Sequence, residues 1–235
     1  MHELLLSWIN EVSVSRTEAG VLSVLTRAAH HLGFEHAAYG LRRPVPITKP
    51  QIMMLSTYPD EWKERYIKGQ YIALDPTVRS ALGSDAPITW SGKDTSSDSK
   101  FWDEASSFGI VHGWSAASRG ADGTVGLLTL SRSSNLVSAT ERASNEQTMV
   151  LLAQAAHMVF AQFMPARQLI ESSLTARETD VLKWTADGKT AYEISRILNI
   201  SESTVNFHIK NIMLKLDCAN KIQAVAKAAL IGLLR

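Results

Sequence analysis

The last sixty or so residues carry the tightest local constraint in the chain. Thr175-x-x-Glu178 and Thr190-x-x-Glu193 are capping boxes, in which a hydroxyl and a carboxylate satisfy each other's exposed helix-start N–H groups. The first box opens a helix over 175–186, with Gly188 placed where a C′ glycine stops it. The second opens a shorter helix over 190–198. Ser201 or Ser203 caps SESTVNFHIKNIMLKL, and Asn220 caps NKIQAVAKAALIGLL. Four short helices with such tight connections fit only a small all-α bundle, and the middle pair has helix-turn-helix spacing.

Within the third of these helices, Val205, Ile209, Ile212 and Leu216 recur at steps of four, three and four, the buried stripe of a surface helix. Ser203, Asn206, Phe207, Lys210 and Leu214 then look outward. An exposed ring beside an amide and a cation suits the major groove of DNA, where Asn pairs with adenine, Lys reaches guanine or phosphate and an apolar group touches the thymine methyl. In an isolated helix, Phe207 would more often pack on a neighbour; three capped helices in this order favour DNA. Lys189 and Thr190 start the second helix, where N–H groups favour phosphate, and Lys215 and Lys221 bracket the far end of the third. With Ser203, Thr204, Asn206, Phe207 and Lys210 they form the candidate DNA-binding set. Charge agrees with this: residues 172–235 hold nine Lys or Arg against six Asp or Glu, whereas the rest holds fifteen against seventeen.

The stretch 165–174, following a long helical pattern that ends at Met164-Pro165, reads as a linker between a front domain (1–164) and the helical end (175–235). In the front domain, helices are expected near 4–12, 17–32, 60–68, 76–84, 100–108 and 140–163. Extended segments are expected at 36–43, 51–58, 87–90, 112–119 and 124–133, the last two joined by a Gly120–Gly123 hairpin turn. Strands in the middle and helices at both ends predict an α+β class: an N-terminal α+β sandwich around an antiparallel sheet, followed by the four-helix bundle.

With 45% hydrophobic and 20% charged residues, the chain has the composition of a globular protein. No apolar run reaches the length of a membrane span and the N-terminus lacks a signal-peptide pattern, so no membrane partner and a cytoplasmic location are expected. The single cysteine, Cys218, fits a reducing compartment. There is no G-x-S-x-G elbow, no metal-spaced His pair and no Cys/His nucleophile pattern, so neither an enzyme nor a cofactor or metal is expected.

The front domain concentrates Tyr58, Trp62, Tyr66, Tyr71, Trp90, Phe101, Trp102 and Trp114 around one carboxylate, Asp75. Trp62 and Tyr66 share a helix face. Aromatic walls with a few converging polar groups suit a small amphiphilic ligand, but on the residues alone such rings are more often core and Asp75 before Pro76 is usually a helix cap.

Resemblance adds what the residues leave open. LTARETDVLKWTADGKTAYEISRILNISESTVNFHIKNIMLKL resembles the DNA-binding domain of LuxR-type transcription factors, with Glu178, Leu182 and Gly188 at characteristic positions. STYPDEWKERY, DPTVR, ITW, FWDEA, GIVHGWS and GLLTLSRSS resemble, in order and spacing, the autoinducer-binding domain of quorum-sensing LuxR regulators. The resemblance implies an N-terminal α-β-α sandwich with a pocket for an N-acyl-homoserine lactone. In it Trp62 donates to the lactone carbonyl, Asp75 accepts the amide N–H, and Tyr58 and Thr129 bond the amide carbonyl. Tyr66 packs along the acyl chain, Trp90, Phe101, Trp102 and Ala105 enclose the ring, Thr77 adds a polar contact, and Ala38 and Gly126 help set the depth. It also implies a homodimer, paired in part through the 140–163 helix, on a two-fold symmetric operator.

Overall fold

The computed structural model describes residues 2–92, 99–163 and 174–234. The expected linker, apart from Leu174, lies outside the described residues. Two compact units are present, one built from Met1–Arg43, Gln51–Gly120 and Thr124–Phe163, the other containing Met164–Arg235.

The first unit holds a five-stranded sheet of β1 (His36–Arg42), β2 (Ile52–Ser56), β3 (Ile88–Ser91), β4 (His112–Arg119) and β5 (Val125–Arg132). Its order is β2-β1-β5-β4-β3, and every neighbouring pair is antiparallel. The expected hairpin joins β4 to β5, with Gly123 at φ +75°, a conformation that glycine adopts without steric cost. Seven of the eight residues of β4 are buried, as required of a strand covered on both faces.

Alternation along the strands separates the two faces. On one, Tyr39, Leu128 and Ala116 stand in a cross-strand row. Here α1 (His2–Val14), α2 (Glu18–His31) and α6 (Ala139–Gln162) pack, and Phe160 of α6 stacks on Tyr39 with centroids 4.7 Å apart and ring planes 12° apart. On the other face the corresponding row is Ala38, Thr129 and Ser115. This side faces α3 (Asp60–Lys68), α4 (Pro76–Gly83) and α5 (Ser99–Ser107), with a 3₁₀ turn at Tyr71–Ala73 between the first two. The α-β-α sandwich expected from sequence is therefore present.

Caps explain most of the helix limits. Thr17 caps α2 through the Gly20 N–H. Ser138 and Glu141 form a capping box on α6 that the sequence reading had not singled out, and Arg132 at the end of β5 grips the same Glu141 with two 2.8 Å bonds. The fork ties the start of the long helix to the end of the sheet's central strand.

The second unit is all helical: α7 (Ala176–Ala186), α8 (Ala191–Leu198), α9 (Glu202–Lys215) and α10 (Lys221–Leu230). Both expected capping boxes form, on Thr175 and Thr190. Ser201, rather than Ser203, caps α9 by accepting from the Thr204 N–H, and Asn220 caps α10. Gly188 follows α7 at φ +83°, and Asn199 ends α8 in the left-handed region at φ 51°, where Asn is among the few residues tolerated. Val181, Leu182, Ile194, Val205, Ile212, Leu216, Ala224 and Ala228 form the core. Among the described residues no helix is long and apolar enough to cross a membrane.

Candidate functional site

The aromatic residues singled out in the front domain converge over the Ala38–Thr129–Ser115 face of the sheet. Trp62 and Tyr66, one turn apart on α3, meet edge to face at 5.9 Å. Trp62 also stacks on Tyr71 at 5.8 Å and lies 5.9 Å from Phe101. Trp90 of β3 sits 4.9 Å from Trp102 of α5. Ala105 and Ile110 close the cluster, and Tyr58 packs against it. Trp114 does not join them: it stands in the row of Leu130 and Ala37 on the opposite, α6-facing side. Gly126 also differs from expectation, since its register with Leu41 and Ser118 puts it on that same opposite face, away from Ala38. A one-residue offset along a strand reverses the face, and that offset fixes which small residues border the aromatic cluster.

Asp75 caps α4, as its position before Pro76 suggested, and is also 9% exposed at the edge of the aromatic cluster. Its Oδ1 accepts from the Thr77 N–H at 2.8 Å and the Thr77 hydroxyl at 2.7 Å, while Oδ2 accepts from the Tyr66 hydroxyl at 2.9 Å. Burial pushes the Asp75 carboxyl above the ordinary range, and the Thr77 and Tyr66 hydrogen bonds pull it part of the way back. Burial likewise raises the Tyr58 and Tyr66 phenols, so both remain protonated donors. Cap and ligand acceptor are compatible roles because the carboxylate has two oxygens: the Thr77 bonds fall on Oδ1 and the Tyr66 bond on Oδ2, with the Val78 N–H a further donor.

Two hydroxyls face the same side. Thr129 Oγ1 lies 3.0 Å from Ser115 Oγ, and Tyr58 Oη accepts from Ser131 Oγ at 3.4 Å. The Trp102 indole N–H, fully buried, has no acceptor among the described residues. Ser115, Ser131 and Gly113 were not identified from sequence. A Cβ built on Gly113 overlaps the Trp90 ring and lies 2.6 Å from the Leu130 carbonyl oxygen, so glycine is what lets Trp90 lie across β4. Alternation in HGWSAASR puts Gly113 and Ser115 on one face, but only the pairing to β3 and β5 tells which one.

In the helical unit, α9 is amphipathic as expected. Val205, Ile212 and Leu216 are buried and Ile209 half-buried, whereas Ser203, Asn206 and Lys210 are exposed, with Phe207 at 60% and Leu214 at 71%. Lys189 and Lys221 are exposed too. Three members of the candidate DNA set are engaged within the fold. Lys215 Nζ donates to the buried Glu178 at 2.6 Å, linking the end of α9 to the start of α7, so it is not a free phosphate cation. The Thr190 N–H and hydroxyl both donate to Glu193 at 2.8 Å, so both of that residue's donors are engaged within its own helix start. Thr204, half-buried, bonds Ser201 through its N–H and its hydroxyl. Ser203 also bonds Ser201, at 2.7 Å, but its side remains exposed.

Comparison with known proteins matches both units. Residues 17–160 fit the autoinducer binding domain, and residues 172–228 fit the bacterial regulatory proteins of the luxR family. The transcriptional activator protein AnoR of Acinetobacter nosocomialis is 39% identical over 225 residues, covering 94% of each chain. The crystal structure of Escherichia coli SdiA is similar with a TM-score of 0.85 at 27% identity, covering 100% of this chain and 99% of SdiA, and SdiA is also known in complex with octanoyl-rac-glycerol. The N-acylhomoserine lactone dependent LuxR family factor CepR2 of Burkholderia cenocepacia matches with a TM-score of 0.65 at 28% identity, over 70% of this chain and 97% of CepR2. The relatives are transcriptional regulators, not enzymes. With the autoinducer binding domain matched over residues 17–160 and the luxR-family domain over residues 172–228, the chain belongs to the LuxR family of quorum-sensing transcriptional regulators.

Proposed function

We propose that the chain binds an N-acyl-homoserine lactone and, as a homodimer in the cytoplasm, binds a two-fold symmetric operator to control quorum-sensing genes. Residues 1–164 form the sensing domain, 165–174 the linker and 175–235 the output domain. The observation that carries the reading is Asp75: a buried carboxylate held by Thr77 and Tyr66, on the same side of the sheet as the Tyr58 and Thr129 hydroxyls. An amide needs that set, one acceptor for its N–H and donors for its carbonyl. Trp62 serves the lactone carbonyl, Tyr66 borders the acyl chain, and Trp90, Phe101, Trp102 and Ala105 enclose the ring. Thr77 acts through Asp75, and Ala38 borders the tail.

Thermal unfolding of the purified chain with straight-chain acyl-homoserine lactones, from butanoyl to dodecanoyl, tests the reading. A rise in melting temperature that depends on tail length is expected, because a ligand that binds only the folded state stabilises it. The SdiA complex supplies the rival, an acyl glycerol, which has no amide N–H for Asp75. Stabilisation by octanoyl glycerol equal to that by the best lactone would refute the amide pairing.

On DNA, Asn206, Phe207 and Lys210 face the major groove with Ser203, while Lys189 and Lys221 contact phosphates. Thr190, Thr204 and Lys215 hold the reading helix in position through their bonds to Glu193, Ser201 and Glu178. Asn206→Ala is expected to weaken operator binding by roughly 1–2 kcal/mol, about five- to thirty-fold. Lys210→Ala should weaken it and, where the lysine meets phosphate, flatten the salt dependence by about one counterion. Unchanged affinity in a gel-shift titration of both variants would mean that another face docks. For the dimer, α6 offers Leu151 and Met158, two turns apart and both exposed. Sedimentation showing only monomer with lactone present would overturn that part.

A further inference from the structure

Thr129 is backed by a chain of hydrogen bonds running across three strands. Ser115 stands directly opposite it on β4, and Trp90 stands opposite Gly113 on the far side of that strand. The Trp90 indole N–H donates to Ser115 Oγ at 2.9 Å, and Ser115 Oγ is 3.0 Å from Thr129 Oγ1. Ser115 is 1% exposed, and these are its side-chain hydrogen bonds among the described residues.

The direction of the second bond follows from proton counting. An indole N–H only donates, and a hydroxyl has one proton and two lone pairs. Were Thr129 to donate to Ser115, the serine would receive two protons and its own would be buried without an acceptor. Buried donors in that condition are rare, because their lost hydration goes unreplaced. Ser115 therefore donates to Thr129, and Thr129, already accepting, has its own proton left to give. Tyr58 is biased the same way on a neighbouring position, since Ser131 Oγ donates to its hydroxyl.

The geometry points to Ser115 as a positioning residue that fixes Thr129 as a donor, and with it the demand for a carbonyl oxygen on the ligand. Ser115 touches no ligand in this scheme; it acts through Thr129. The polar groups beside the aromatic cluster then separate by role, with Thr129 and Tyr58 donating and Asp75 accepting. A ligand N–H offered to Thr129 would take its second lone pair and leave the threonine's own buried proton without an acceptor, whereas a carbonyl oxygen accepts that proton. The inference rests on the lactone reading above.

The test is a double-mutant cycle in the full-length chain, using Ser115→Ala, Thr129→Val and the pair. Dissociation constants are measured by calorimetry for the tightest-binding straight-chain lactone of the butanoyl-to-dodecanoyl series. Each single variant should bind about three- to ten-fold more weakly. The pair should bind within about twofold of Thr129→Val alone, because a residue that acts only through Thr129 has nothing left to act on. A packing role for Ser115 would not give that result, since its loss would persist without the threonine hydroxyl. Melting curves without lactone check that each variant folds, and Ser115→Cys, of similar size with a weak donor, completes the cycle where the alanine variant does not. Losses that add in the pair, or a Ser115→Ala variant that binds as wild type, overturn the relay alone. A wild-type chain that binds no lactone of the series overturns the ligand assignment and the relay together.

Discussion

Asp75→Asn should bind lactone roughly 30- to 150-fold more weakly than wild type, a loss of about 2–3 kcal/mol, while remaining folded. The substitution is chosen because asparagine is as good an N-cap as aspartate, so the carbonyl oxygen can keep the bonds from the Thr77 N–H and hydroxyl that start α4. What changes is the other arm. Oδ2, which accepts from the Tyr66 hydroxyl at 2.9 Å, becomes an NH₂ group, and a donor then faces two donors, Tyr66 and the ligand amide. Calorimetric titration gives the loss directly, and binding within threefold of wild type would show that the amide N–H goes elsewhere; that margin is about 0.7 kcal/mol.

The same carboxylate gives a signed pH dependence. Burial holds its native pKa above the unfolded value, so its contribution to stability is present below the unfolded pKa and is lost as pH rises through the raised native one. Without ligand, the melting temperature of wild type should therefore carry a downward component with rising pH across that window, absent from Asp75→Asn. A ligand N–H favours the charged form and lowers the pKa again, so lactone affinity should fall as pH drops below the native value. An affinity that is flat across that range in wild type would contradict a charged acceptor.

What could be read from the sequence was what is local. Each capping box is settled by four consecutive residues, and Thr175, Thr190 and their glutamates behave as written. The outward set on α9 is a matter of helical periodicity, and Phe207 and Leu214 are exposed accordingly. The aromatic cluster was legible as a list of rings, though only resemblance to the family suggested that the rings form a ligand wall rather than plain core. Partners far apart in the chain were not legible. Lys215 and Glu178 are 37 residues apart, and nothing in either helix alone announces that one neutralises the other. Ser131 and Tyr58 are separated by 73. Strand faces failed for a related reason: alternation divides a strand into two sets, but register with its neighbours decides which set faces the aromatic cluster, as Gly126 and Ser115 illustrate from opposite sides.

Gly126→Ala is expected to be among the most destabilising single-methyl additions in the front domain, at about 3–5 kcal/mol. A Cβ built there overlaps the Tyr39 hydroxyl and lies 2.5 Å from Ser118 Oγ and 2.8 Å from His157 Nδ1. Those atoms form a buried network joining the sheet to α6: Tyr39 Oη and Ser118 Oγ are 3.2 Å apart, Ser118 Oγ and His157 Nδ1 3.0 Å, and Thr124 Oγ1 and His157 Nε2 3.0 Å. Overpacking costs about 1–3 kcal/mol, and each buried polar partner left unsatisfied adds about as much. Tyr39 cannot swing away, because its ring is stacked on Phe160. For a chain of this size the melting temperature should drop by about 6–20 °C. Gly188→Ala is the control, since nothing lies within 4 Å of a Cβ there and only its φ of +83° resists substitution, at about 1–2 kcal/mol. A larger drop for Gly188→Ala than for Gly126→Ala would mean that β5 yields to the added methyl and that the Tyr39–Ser118–His157 network is looser than its distances imply. The expected order instead makes the absence of one methyl at Gly126 a condition for the α6 helix to dock on the sheet.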